Sequence, residues 1–111
     1  MRLLLLGDIC GNAGMKIIKS KLKEITKEKK IDFVVANGEN AAENGKGITK
    51  SNYEDLINAG VDVLTSGNHI WDQKDILEII DKEKKIIRPA NFLEGLPGSG
   101  YGIYEVKSKK I

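Results

Sequence analysis

Arg2-Leu3-Leu4-Leu5-Leu6-Gly7-Asp8 decides how the rest of the chain is read. Four consecutive leucines form a continuous apolar run of strand length, and Gly7-Asp8 ends it far short of the roughly 18 residues that a membrane span requires. A strand with no polar alternation is a strand covered on both faces, which is the habit of parallel sheets. The same unit then recurs along the chain. Phe33-Val34-Val35-Ala36, Val61 to Thr65 and Ile86-Ile87-Arg88 are further short apolar runs, each preceded by a longer amphipathic stretch. Strands alternating with crossover helices predict an α/β fold, a mostly parallel sheet flanked by helices in three layers, with residues 1–111 as a single unit.

The intervening stretches carry helical spacing. From about Met15 to Lys29, Ile18, Leu22 and Ile25 line one stripe, and the lysines between Lys16 and Lys30 make its solvated face rather than a nucleic-acid patch. Thr49 or Ser51 can cap a second helix bearing Tyr53, Leu56 and Ile57, with Ser51 and Glu54 in capping-box spacing and Gly60 as its stop. Asp72 can cap a third, with Ile76, Leu77, Ile79 and Ile80 facing the core and Lys84-Lys85 closing it. Pro89 ends the fourth strand, and Tyr101 to Val106 reads as a fifth. Gly11-Asn12-Ala13-Gly14 reads as a plain turn, since it lacks both the Lys-Ser/Thr of a P-loop and a G-x-G-x-x-G pattern.

Composition excludes several functional classes. Eighteen Lys and Arg against sixteen Asp and Glu leave a formal charge of +2, too small to argue for nucleic acid or an anionic membrane. A single cysteine, Cys10, forms no internal disulfide, so a reducing, cytoplasmic setting is expected, and the residue reads as a small filler.

Three strand ends carry the chemistry: Gly7-Asp8, Asn37-Gly38-Glu39-Asn40 and Gly67-Asn68-His69. In open parallel sheets, ligands bind outside the carboxyl ends of the strands, so three such segments would build one site. Asp8 and Glu39 are hard anionic oxygen donors, Asn40 and Asn68 neutral carbonyl donors, and His69 a nitrogen ligand or proton donor. That set suits divalent metal, and a carboxylate such as Glu39 can bridge two ions. Glycines 7, 38 and 67 allow positive backbone dihedrals and close approach. Taken singly, each segment also fits an ordinary role: Asp8 as a cap, Asn37 to Asn40 as an Asx turn, His69 as a hydrogen-bonded structural residue. Trp71, beside the third segment, reads as a packing residue or a substrate wall.

The strings Gly-Asp-Ile-Cys-Gly (7–11), Asn-Gly-Glu-Asn-Ala-Ala (37–42), Gly-Asn-His-Ile-Trp-Asp (67–72) and Arg-Pro-Ala-Asn-Phe (88–92) resemble the calcineurin-like metallophosphoesterase superfamily in its bacterial YmdB-like branch. That resemblance implies a phosphodiesterase with two divalent ions, iron or manganese, and phosphodiester substrates that include cyclic nucleotides. It implies Asp8 and Asn40 on one ion, Glu39 bridging both, Asn68 on the other, and His69 protonating the leaving oxygen. Cys10 stands where much of the superfamily has a histidine and this branch an apolar residue. Members of the family run to more than twice this length and complete the site with three histidines from their C-terminal half, whereas His69 is the only histidine here. The resemblance therefore implies an N-terminal half with an incomplete site, nearly inactive alone, and a homo-oligomer hiding an apolar face. Two other readings remain: a non-catalytic regulatory or binding protein with the same fold, and a flavodoxin-like phosphate or nucleotide binder using Gly11 to Gly14.

Overall fold

The computed structural model describes residues 1–111. Four strands, β1 (Leu3–Asp8), β2 (Phe33–Asn37), β3 (Val63–Thr65) and β4 (Ile86–Ile87), form one sheet in the order β1-β2-β3-β4, every pair parallel. Helices α1 (Gly11–Lys29) and α2 (Lys50–Ala59) and a 3-10 helix (Lys74–Glu78) connect them. Because right-handed crossovers that step always in one direction place every connection on the same side, the helices share one face of the sheet. Leu4, Leu6, Val34, Ala36, Leu64 and Ile86 meet Met15, Ile18 and Leu22 of α1, Tyr53 and Leu56 of α2, and Ile76, Ile79 and Ile80 in one core.

The expected parallel α/β sheet is present, but its third layer is slight. Phe33 and Val63, on the opposite face, are covered only by Val106, with Val35, Tyr104 and Ile111 packed alongside. Val106 belongs to β5 (Glu105–Val106), which pairs antiparallel with β6 (Lys109–Lys110) as a separate hairpin. The fifth strand expected over Tyr101 to Val106 is thus only two residues long. Lys107 and Ser108 reverse the chain with φ of 48° and 63°, a two-residue turn of the kind usually signalled by Asn or Gly, and neither is present. An ion pair from Lys107 Nζ to Asp32 Oδ1 (2.6 Å) ties the hairpin down. Leu3 and Leu5 of β1, in register with Phe33 and Val35 on that same thinly covered face, are 42% and 72% exposed rather than buried.

Several local expectations shift. Residues 11–14 are the first turn of α1 and not a separate turn, with Gly11 at φ +57°. Of the expected stripe, Leu22 is buried and Ile18 partly so, whereas Ile25 lies at the rim. Thr49, not Ser51, caps α2, and its box partner is Asn52: Asn52 N donates to Thr49 Oγ1 at 3.0 Å and Thr49 N to Asn52 Oδ1 at 3.0 Å. The helix expected after Asp72 is one 3-10 segment without a side-chain cap. Ile76 and Ile79, three apart, satisfy the tighter period, and Leu77 points outward, half exposed. Trp71 packs on the core and against Phe92, with ring centroids 6.3 Å apart. No helix is long and apolar enough to cross a membrane.

Candidate metal and phosphoester site

Asp8 reaches the carboxyl edge of the sheet through an irregularity in β1. Leu6 pairs with Ala36 and Asp8 with Asn37, so Gly7 is an extra residue on the β1 side. Such a bulge re-aims the side chain that follows. Without it, the even-numbered alternation that buries Leu4 and Leu6 would carry Asp8 under the helices. Instead Asp8 is exposed and its Oδ2 accepts from Asn40 Nδ2 at 2.9 Å and from Cys10 Sγ at 3.2 Å.

The second segment is a tightly hydrogen-bonded loop. Asn37 Oδ1 accepts from Glu39 N (2.9 Å), the Asx turn foreseen for this stretch, while Asn37 O accepts from Ile9 N (3.0 Å). Gly38 N donates to Thr65 O (2.9 Å), Gly11 N to Asn40 O (2.8 Å) and Gly47 N to Glu39 O (2.6 Å). Glu39 and Asn40 are therefore held by backbone contacts to β1, to β3 and to the start of α1. The Glu39 carboxylate crosses to the third strand end and rests on Gly67, where an added Cβ would collide with it.

Asn68 is exposed beside that contact. His69 follows in a pair of turns closed by Ile70 N to Gly67 O (3.1 Å) and Asp72 N to His69 O (3.0 Å). Its Nδ1 lies 2.8 Å from Asp72 Oδ2. Gln73 joins this loop to the second one, its Nε2 donating to Lys46 O at 2.8 Å and to Asn44 Oδ1 at 3.3 Å.

Three roles assigned from sequence change here. Glycines 7, 38 and 67 do not adopt positive φ; Gly38 and Gly67 serve close approach, to Ile48 and Leu64 and to Glu39, and Gly7 serves the bulge. Cys10 is exposed and no filler. Its hydrogen bond to the Asp8 carboxylate, then desolvation and the charges of Asp8 and Glu39, push the thiol above its ordinary range. It stays a protonated thiol at neutral pH, a poor nucleophile. Asp72, expected as a cap, instead holds the imidazole. Arg88, from the fourth string, is a structural staple: it is buried, with Nε donating to Pro97 O (3.1 Å) and Nη1 to Pro89 O (3.2 Å). The Asn44, Lys46 and Gln73 contacts left no mark in the sequence beyond the polar, glycine-bearing character of their loops.

The donor set fits a divalent ion in kind. Asp8 with Asn40 forms one oxygen-donor pair, and Glu39 above Gly67 brings a second carboxylate to the Asn68 side. No three Asp, Glu, Cys or His side chains gather closely enough to hold an ion by themselves. The fit is that of a partial oxygen-rich site.

A parallel α/β sheet here presents carboxylates, amides and an imidazole along its carboxyl edge. The chain superposes on a Mycoplasma pneumoniae crystal structure described as a novel phosphatase, with a TM-score of 0.88 and 37% identity, covering 97% of this chain and 40% of that one. A crystal structure of a hypothetical protein from Thermus thermophilus matches with a TM-score of 0.91 and 38% identity over 99% of this chain and 42% of that one. The YmdB-like protein family matches residues 4–111, and the chain belongs to that family. A Bacillus subtilis relative named 2',3'-cyclic-nucleotide 2'-phosphodiesterase is 41% identical across all 111 residues. The chain spans about two fifths of the length of these relatives, 42% in the Bacillus protein.

Proposed function

We propose that this chain supplies the N-terminal part of a metal-dependent phosphodiesterase site acting on phosphodiesters, with 2',3'-cyclic nucleotides as the substrate class. The observation that carries the reading is the meeting of three consecutive strand ends: Asp8 bonded to Asn40, and Glu39 laid across onto Gly67 beside Asn68 and His69. A cap, an Asx turn and a structural histidine would account for each segment alone and would not require Glu39 to cross from one strand end to the next. The relative named as a cyclic-nucleotide phosphodiesterase points to the substrate.

Asp8 and Asn40 would hold one ion, Asn68 a second, and Glu39 both. Asn40 now offers its Nδ2 to Asp8, so its amide must turn to present oxygen. Iron or manganese bound there supplies Lewis-acid polarisation of the phosphoryl group and lowers the proton affinity of the attacking water. His69, with Nδ1 occupied by Asp72, has Nε2 left to give a proton to the leaving oxygen as the P–O bond breaks. Two carboxylates and two amides are a weak set for transition-metal ions without imidazoles, so the chain alone is expected to bind loosely and turn over slowly.

The test compares this chain with a polypeptide in which it is followed by the remaining three fifths of the Bacillus relative. Manganese or iron stoichiometry is measured, together with hydrolysis of bis-nitrophenyl phosphate and of 2',3'-cyclic AMP. Metal-dependent turnover in the longer protein, abolished by Asp8→Asn or Glu39→Gln and cut about 100-fold or more by His69→Ala, supports the reading. Turnover indifferent to these substitutions defeats it, and metal binding without turnover would favour a regulatory protein of the same fold.

A further inference from the structure

We propose that the open edge of β1 docks a second copy of this chain, the two β1 strands pairing antiparallel about a two-fold axis at Leu5. β1 pairs with β2 on one side and with no strand on the other. Edge strands are ordinarily blunted by charge, proline or a covering segment, and Leu3-Leu4-Leu5-Leu6 carries neither charge nor proline. Its backbone is also placed for pairing. Arg2 N donates to Asp32 Oδ2 at 2.7 Å and Arg2 O accepts from Asp32 N at 2.8 Å, so Arg2 turns both groups toward the β2 side. Alternation along the strand then turns the N–H and C=O of Leu3 and Leu5 to the open edge.

Charge selects both the occupant and the register. With Leu5 on the axis, Leu5 exchanges its two backbone hydrogen bonds with the same residue of the other copy. Leu4 then stands opposite Leu6 of that copy, and Arg2 opposite its Asp8. Arg2 and Asp8 are both exposed, so self-pairing sets opposite charges across from each other at both ends of the ladder. A slip of two residues in either direction loses both pairs, setting Arg2 opposite Leu6 or Leu4 opposite Asp8.

Stable interfaces bury about 1,200–2,000 Å², more than two short paired strands supply, and α1 adds to the contact. An axis perpendicular to the sheet keeps both sets of helices on one side. Because α1 joins β1 to β2 and α2 joins β2 to β3, α1 lies nearer the β1 edge. Lys19, paired with Asp55 at 3.1 Å, marks the flank of α1 that faces α2, and Leu22, 2% exposed, marks its core side. At about 3.6 residues per turn, Ile17 and Ile25 fall on the flank away from α2, toward the open edge. They are 62% and 38% exposed. The joined copies set these two flanks against each other, and Leu5 gains its own counterpart as a cross-strand neighbour.

The test exploits Cys10 being the only cysteine, so that Cys10→Ser leaves the chain open to a single reporter thiol. In that background Leu5→Cys should cross-link to its own copy on mild oxidation. Hydrogen-bonded antiparallel partners sit about 5.5 Å apart at Cα, within disulfide reach. Leu93→Cys, at a 79% exposed position after β4, should stay uncoupled. In sedimentation equilibrium Arg2→Glu and Ile17→Glu should each weaken the dimer by about tenfold or more, since every substitution acts twice in a symmetric pair. Adding Asp8→Arg to Arg2→Glu should restore it, with amide spectra showing each variant folded. A parent chain that stays monomeric at millimolar concentration overturns the proposal, as does equal cross-linking of Leu5→Cys and Leu93→Cys. A folded double variant that fails to recover overturns the register. Dissociation by Leu5→Lys with no effect of Arg2→Glu or Ile17→Glu overturns the edge pairing and assigns the self-contact to the uncovered face of the sheet.

Discussion

Gly67→Ala separates the needs of the site from those of the fold. Gly67 is half-buried and its φ lies outside the left-handed region, so alanine meets no backbone strain. What it meets is the Glu39 carboxylate, seated where the new Cβ must go. To regain ordinary van der Waals separation the carboxylate must retreat by about 2 Å. Its backbone can stay in place, because Glu39 N remains bonded to Asn37 Oδ1 and Glu39 O to Gly47 N.

The consequences for stability and for metal binding then diverge. Replacing a glycine in an alanine-compatible conformation gains about 0.4–1 kcal/mol through the unfolded chain. The apo variant is therefore expected to melt within a few degrees of the parent, since about 1 kcal/mol moves Tm by about 4–8 °C in a domain of this size. Metal ligation tolerates only about 0.2 Å of misplacement, so a shift of about 2 Å removes Glu39 as a ligand. Loss of even an outer-shell partner weakens metal by about 10- to 100-fold, which sets the minimum, about 1.4 kcal/mol for the first tenfold. Calorimetric titration with manganese, run beside urea unfolding of the apo protein and with Glu39→Gln as reference, checks both halves. If Gly67→Ala binds manganese as tightly as the parent while Glu39→Gln does not, Glu39 does not act from its seat on Gly67. If the apo variant loses more than about 2 kcal/mol, the glycine serves the fold instead.

Thr49→Ala removes the cap of α2 and should lower stability by about 1 kcal/mol, read as a lower urea midpoint at unchanged slope; no shift would mean that Asn52 alone holds the helix start. The Lys107 hydrogen bond, then the Arg2 N–H, holds the Asp32 carboxyl below the ordinary carboxylate range. A folded pKa below the unfolded one means that Asp32 stabilises above about pH 4 and that this contribution fades as pH falls from there into the depressed folded range. Asp32→Asn should flatten that acid slope of the urea midpoint, and an identical slope would show that the pair contributes nothing measurable. Leu5→Lys, at a 72% exposed position on an unpaired edge strand, should leave monomer stability within about 0.5 kcal/mol and reduce self-association in sedimentation velocity; unchanged sedimentation would remove β1 as the self-contact.

Much of this protein is legible from order along the chain. Apolar runs of strand length, separated by helical stripes, were enough for a parallel α/β sheet, because burial on both faces leaves a run without alternation. The same logic placed Asp8, Glu39, Asn40, Asn68 and His69 at strand ends, since a parallel sheet brings all its carboxyl ends to one edge. Caps and turns were readable only as alternatives: Thr49 and Ser51 both suit a helix start, and only the packed helix chose Thr49.

The tertiary structure decided what depends on neighbours distant in sequence. The run of four leucines carries no sign that one face of β1 is left uncovered, so Leu5 reads as buried and is exposed, because exposure is set by what packs over each face of the sheet. The extra residue at Gly7 that turns Asp8 outward exists only relative to the register with β2. Glu39 resting on Gly67 and Asp72 holding His69 are contacts between side chains whose spacing encodes turns equally well. Sequence determines where polar groups leave the sheet, because that follows from local periodicity; which of them touch is settled by the register, the bulge and the loop packing that bring the strand ends together.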